Sequence, residues 1–161
     1  MICSFPPILP DAPTILILGT MPGARSLEKQ EYYAHAQNHF WKIIFRLLGS
    51  EVVPETFAER KTFLIEHKIA VWDVLESCER EGSLDANIRN ATENPIPELI
   101  RENPSIKAVF FNGQESHRIF TRTFGDQIKL PMFVMPSTSP AYTIGFEKKL
   151  GIWSMILDFI P

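Results

Sequence analysis

The sequence predicts an α/β fold: a four-stranded parallel sheet with helices on both faces. Two observations carry that reading. Four short apolar runs, rich in Ile, Leu, Val or Phe, have the composition of strands covered on both sides. Segments with apolar residues at helical spacing lie between them, and such alternation implies parallel strands joined by crossover helices. The chain has 161 residues and is 45% hydrophobic, which is one domain, 1–161, with enough apolar side chains for a sizeable core. No internal repeat, low-complexity tract or linker divides it.

The first strand runs from Thr14 to Gly19, where four apolar residues, Ile15 to Leu18, stop at a glycine turn. A helix follows in which Phe40, Trp41, Ile43, Ile44, Leu47 and Leu48 recur at i, i+3, i+4, i+7, with Gly49 as its stop. The next helix begins near Pro54 and carries Phe57, Phe63 and Leu64. The second strand spans Ile69 to Val74. Residues 76–95, "ESCEREGSLDANIRNATENP", read as a polar loop, and structureless loops of that length are functional or mobile. A short helix from Ile96 to Glu102 leads to the third strand, Ile106 to Asn112, and a helix over Gln114 to Phe124. The fourth strand is Pro131 to Met135. A last helix, Glu147 to Phe159, places Leu150, Trp153, Ile156 and Leu157 on one side.

Composition removes several function classes. No run approaches the roughly 18 to 20 apolar residues of a membrane span. The N-terminal segment lacks a basic n-region and is broken by prolines, so the cytoplasm is the expected compartment. Cys3 and Cys78 are too few for a disulfide framework, and no CxxC is present. His35 and His39 would share one face of a helix, but two ligands without a third read as ordinary polar residues, so no metal is expected. The net charge of −3 counts weakly against nucleic acid, because local clusters rather than the mean decide phosphate contacts.

Open α/β sheets place ligands at the carboxyl ends of their strands, which makes "GTMPGARS" the first candidate site. A Walker loop would need GxxxxGK[ST]; the matching positions hold Ala24, Arg25 and Ser26, and only the last hydroxyl fits. A dinucleotide turn needs GxGxxG, whereas only Gly19 and Gly23 are present, and Pro22 has no N–H for a pyrophosphate. Neither phosphate motif is met, and no cofactor is expected. The following "QEYYAHAQNHFW" sets aromatic faces beside amide and imidazole edges, which suits a planar, hydrogen-bonding ligand such as a nucleobase. At the fourth strand's end, "VMPSTSPAYT" brackets Ser137, Thr138 and Ser139 between Pro136 and Pro140. That is a stiff loop able to donate to phosphate, on the same sheet edge.

Together, "GTMPGARS", "YYAHAQNHFW" and "MPSTSPAYT" resemble the uracil-DNA glycosylase superfamily, most closely its hypoxanthine (deoxyinosine) branch. The likeness extends through "VWDVLESCEREGSLDANIR". It implies a three-layer α/β/α sandwich and a monofunctional glycosylase of base excision repair. Such an enzyme flips a deaminated base, chiefly hypoxanthine, from double- or single-stranded DNA and hydrolyses its N-glycosidic bond. It implies a monomer without a cofactor.

The resemblance also implies roles for particular residues. Asn38 matches the asparagine associated with activity in the hypoxanthine branch, where its amide would hold water or bond the leaving base; a helix cap before "HFWKII" is the bland alternative. Met21 stands where an Asp or Asn usually handles the water, and Met135 where uracil-specific enzymes carry a histidine, so slow turnover on uracil is expected. Gly23 replaces a tyrosine that blocks larger bases. Tyr33, with Tyr32 as the alternative, would stack on the flipped base. Asp73 would accept from N1–H of hypoxanthine or N3–H of uracil, or simply cap a turn. The expected base pocket is therefore Gly19, Thr20, Met21, Pro22, Gly23, Tyr33 and Asp73. The expected DNA contacts are Ser26, Pro136, Ser137, Thr138, Ser139, Pro140 and Ala141, with a wedge at Ala141 or Tyr142. Ser77, Ser83, Asp85, Asn87 and Arg89 either line the site or are solvated. No lysine matches a Schiff-base position, and two cysteines exclude the four-cysteine iron–sulfur branches. The competing readings are a mismatch-type uracil glycosylase, a lesion-binding protein without turnover, and a small-molecule enzyme unrelated to DNA.

Overall fold

The computed structural model describes all residues, 1–161. In chain order the first half comprises β1 (Ile2–Cys3), β2 (Ile15–Gly19), α1 (Ala24–Lys29), α2 (Phe40–Leu47), α3 (Phe57–Glu66), β3 (Ile69–Asp73) and β4 (Leu75–Glu79). Then come β5 (Arg89–Glu93), α4 (Ile96–Glu102), β6 (Ala108–Asn112), α5 (Gln114–Phe124), β7 (Met132–Met135) and α6 (Phe146–Trp153).

Strands β3, β2, β6 and β7 pair in that order, all parallel, with Ile15 opposite both Ile69 and Ala108. Every residue of β2, β3 and β6 is buried, which explains their unbroken apolar composition. Alternate residues serve two cores. Ile15, Ile17, Val71 and Phe110 pack with residues of α2, α3 and α6, whereas Leu16, Leu18, Trp72 and Phe111 pack with α4 and α5. This is the α/β/α sandwich. Phe45 of α2 stacks on Phe63 of α3 with ring centroids 3.9 Å apart. Thr56 starts α3 as its N-cap, its hydroxyl accepting the Glu59 N–H and donating to the Glu59 carboxylate.

The segment 76–95 is not a loop. β4 and β5 form an antiparallel hairpin that β1 extends, with a 3-10 turn over Asp85–Asn87 near its tip. Its polar composition hid a strand whose Leu75, Ser77 and Cys78 are buried. The Asn94 amide donates to the Asp73 and Leu75 carbonyls and locks the hairpin's base. The C-terminal helix is likewise two pieces, because after Trp153 the chain tightens to a 3-10 helix, Ser154–Phe159. There Ser154 donates back to the Gly151 carbonyl, and Leu157 turns outward while Trp153 and Ile156 stay in the core. Since α2 begins at Phe40, His35 and His39 do not share a helical face. No helix is long and apolar enough to cross a membrane. No cluster of three or more His, Cys, Asp or Glu is placed to hold a metal ion.

Candidate functional site

The carboxyl ends of β2, β3 and β6 open into a cleft of about 320 Å³. Three strand-terminal residues set its floor: Gly19, Asp73 and Asn112. A β-carbon on Gly19 would lie 2.6 Å from Asp73 Oδ1 and 2.8 Å from the Tyr33 hydroxyl, so only glycine fits there. Asp73 Oδ2 and the Tyr33 hydroxyl are both buried without a hydrogen-bond partner in the protein. Burial, with the Asp85 charge adding to it, pushes the Asp73 carboxyl up to about 7. Burial and Asp73 drive the Tyr33 phenol far upward, so it is a neutral donor at any working pH. Tyr33 adopts a left-handed backbone (φ 53°), and its ring stacks on Phe40 at 4.1 Å between centroids. Such strain in a non-glycine residue persists where the surroundings hold it, commonly at ligand sites. Tyr32 also borders the cleft, but its hydroxyl is engaged elsewhere, donating to the Pro6 carbonyl, and its own carbonyl accepts from the Trp41 indole.

The hairpin tip makes one wall. Arg80 Nη2 donates to the Pro22 carbonyl at 2.6 Å, and the Ala24 N–H donates to Ser83 Oγ at 2.8 Å. Ser83, Leu84 and Asp85 thereby come to line the cleft beside Thr20, Met21, Pro22 and Gly23. Burial raises the Asp85 carboxyl above its ordinary value, against the pull of Thr20 and Arg80. Met21 is buried among Leu75, Cys78 and their neighbours and offers no polar atom. A β-carbon on Gly23 would sit 3.4 Å from Ser83 Oγ, an ordinary contact.

The 136–142 loop makes the opposite wall, and four side chains or backbone groups hold it. Asn112 accepts the Thr138 N–H at 2.9 Å and donates to Thr138 Oγ1 at 3.0 Å. The His39 N–H donates to the Thr138 carbonyl. Trp153 Nε1 and Lys149 Nζ donate to the Pro136 and Ser139 carbonyls. Ser137, Thr138, Ser139, Pro140, Ala141 and Tyr142 all line the cleft, while Pro136 lies behind it. Ala141 and Tyr142 are both exposed. Ser26 is buried, and its oxygen accepts the Ala34 N–H, so this hydroxyl braces the loop rather than standing free on the surface.

Asn38 sits between the walls. Its Oδ1 accepts the Phe40 N–H at 2.9 Å, an Asx turn just ahead of α2, while His39 is the N-cap and makes no side-chain cap bond. Its Nδ2 makes no hydrogen bond within the protein and is left as a donor. Asn38 also borders a wider groove running outward past Lys29, Lys42 and Arg60.

Sequence reasoning brought Gly19 to Gly23, Tyr33, Asn38, Asp73 and the second loop to one cleft, and the structure assembles them there. It missed Asn112, Arg80 and Lys149. A signal existed for Asn112, an amide closing an apolar strand at the same sheet edge as Gly19 and Asp73. Nothing local marked the other two. Chemically, the cleft joins an aromatic face, a carboxyl and a phenolic donor, with Asp73, Asp85 and His35 as its titratable carboxyl and imidazole groups.

The sequence profile of the Uracil DNA glycosylase superfamily matches residues 6–156. Two relatives named Hypoxanthine DNA glycosylase are similar. One, from Methanosarcina barkeri, is 34% identical over 152 residues, 93% of this chain and 94% of that one. The other, from Methanosarcina acetivorans, is 31% identical over 154 residues, 94% of this chain and 95% of that one. Among solved structures, the solution NMR structure of a Methanosarcina acetivorans protein assigned provisionally as a uracil DNA glycosylase superposes with a TM-score of 0.80. It is 28% identical and covers 96% of this chain and 94% of that one. The likeness runs through the sheet and both loops that frame the cleft, and the chain belongs to the uracil DNA glycosylase superfamily: it is by descent a DNA glycosylase.

Proposed function

We propose that this glycosylase removes hypoxanthine from deoxyinosine in DNA by hydrolysis, without a covalent enzyme intermediate. The observation that carries the reading is the pair of unpartnered groups over Gly19, the Asp73 carboxyl and the Tyr33 hydroxyl. Hypoxanthine presents N1–H, a donor, beside O6, an acceptor. An acceptor on Asp73 and the Tyr33 O–H complement that edge, and buried polar atoms with no partner select a ligand that supplies one. Adenine reverses both positions, with an acceptor at N1 and a donor at N6, and would set the ionised form of Asp73, which prevails above about pH 7, against a lone pair.

Asn38 acts through Nδ2, because Oδ1 is engaged by Phe40. A donor can stabilise charge developing on the departing base or fix the water by its oxygen, but it cannot remove a proton. Rate acceleration then comes from leaving-group stabilisation and positioning. Uracil offers an N3–H beside a carbonyl and is the second reading. The buried, apolar Met21 and Met135 at two positions used by uracil-specific enzymes make it the slower substrate. The similarity to two hypoxanthine glycosylases supports the order of preference.

End-labelled duplexes carrying one deoxyinosine or one deoxyuridine, opened by alkali at abasic sites, test the reading. Alkali-dependent cutting at deoxyinosine that disappears in Asn38→Ala is the expected result. Cutting only at deoxyuridine moves the protein to the uracil reading. No cutting at either by folded protein leaves lesion binding without turnover.

A further inference from the structure

Lys149 is a lysine with 0% of its surface exposed, on α6 beneath the 136–142 loop. Charged residues are almost never fully buried unless paired. Lys149 takes part in none of the protein's three ion pairs, all of which are exposed i,i+3 contacts. Its ammonium donates one hydrogen bond, to the Ser139 carbonyl at 3.2 Å, and lies 5.7 Å from the centre of the Tyr142 ring. Burial alone pulls the Lys149 ammonium below its ordinary value, with no acidic group acting against it, and after burial Lys149 in turn helps lower the His39 imidazole. A desolvated cation without a counter-charge costs several kcal/mol.

The loop above it is arranged for an anion. Its Pro136, Thr138 and Ser139 carbonyls are all taken by donors from within the protein. Ser137 and Ser139 accept backbone N–H groups through their oxygens, from Ser139 and Ala141, and keep their own hydroxyl protons to donate. Both serines line the cleft, and the buried ammonium lies against the Ser139 carbonyl.

We propose that Lys149 is the counter-charge of a phosphate-binding site on the Ser137–Ala141 loop: a backbone phosphate of the DNA docks on the loop's hydroxyls and neutralises the ammonium beneath. This rests on the DNA reading above. Lys149 acts through Ser139 and is a positioning residue. In the free protein it orients the loop, and in the complex its charge, little screened by solvent, holds the phosphate.

The test compares wild type with Lys149→Met, Lys149→Gln and Lys149→Arg on one deoxyinosine duplex, measuring affinity against salt and melting temperature. Met and Gln remove the charge, Gln keeping a donor, while Arg keeps the charge. The expected result is that log K against log salt flattens by about 1 in Met and Gln and returns to the wild-type slope in Arg. The Met variant melts no lower than wild type, since a buried unpaired cation has been replaced by an apolar chain. A wild-type slope in Met or Gln, with a lowered melting temperature, overturns the proposal and leaves a packing role. Wild-type protein on duplexes with single methylphosphonates beside the lesion needs no substitution: one position lowering the slope supports the site, and indifference at every position overturns it. Wild-type binding without salt dependence would instead defeat the DNA reading itself.

Discussion

Asn38 Oδ1 accepts the Phe40 N–H at 2.9 Å, so a single side chain both closes the turn ahead of α2 and leaves its amide nitrogen to the cleft. The two roles separate by substitution. Asn38→Asp keeps the accepting oxygen of the turn and loses the donor; Asn38→Ala loses both. Turnover on deoxyinosine falls in each by about 10²–10³, the usual worth of one pre-set donor. Only the alanine variant also loses the turn's hydrogen bond, about 1 kcal/mol of stability. Single-turnover rates and thermal melts, run in parallel, check both halves.

Gly19 and Gly23 differ sharply although they stand four residues apart. Gly19→Ala forces a methyl between Asp73 and Tyr33 and is expected to lower stability by about 1–3 kcal/mol and abolish base excision. Gly23→Ala meets only an ordinary contact with Ser83, so stability stays within about 0.5 kcal/mol. Melting curves and cleavage rates on deoxyinosine duplexes tell them apart.

The raised Asp73 carboxyl gives stability a definite pH slope. Between its ordinary value of 3.8 and about 7, the folded protein holds a proton that the unfolded chain has released. Stability contributed by this group therefore falls as pH rises through that window, by up to about 1.4 kcal/mol per unit, and levels off above it. Denaturant titrations from pH 4.5 to 8 should show the decline in wild type, and Asp73→Asn should lessen it, leaving the part that the raised Asp85 carboxyl contributes.

Asn112 grips Thr138 at two points, and Asn112→Ala leaves the buried Thr138 N–H without its acceptor. The expected cost is about 1–3 kcal/mol. Because the loop shifts with it, KM for the deoxyinosine duplex rises more than in the turn-preserving Asn38→Asp. Steady-state kinetics on the folded variant provide the comparison.

Strands and helices buried on an apolar stripe were legible in the sequence. Ile96–Glu102 and Gln114–Phe124 appear with the bounds their spacing predicted, and all four parallel strands lie where the apolar runs do. The hairpin was not legible, because β4 alternates irregularly across register shifts and buries a serine and a cysteine among charged residues. β1 is two residues long and α1 six, too short for any period to declare itself. In the site, residues next to glycine turns were visible, since their neighbours in sequence are also neighbours in space. Arg80 and Lys149 were not, because Arg80 reaches the cleft through the Pro22 carbonyl, 58 residues away, and Lys149 through the Ser139 carbonyl of a different element, ten residues back.

The central position of β2 has a cost in the order of synthesis. Ile15 to Leu18 are 0% exposed because helices cover both faces of β2 and because β3 and β6 flank its edges, and those strands begin at residues 69 and 108. On a ribosome adding about 5–20 residues per second, the wait for the second neighbour lasts seconds. Until β3 follows, the strand that ends at the cleft is an apolar ribbon with both edges open, and until β6 follows one edge stays open, the form of nascent chain apt to pair with a stranger.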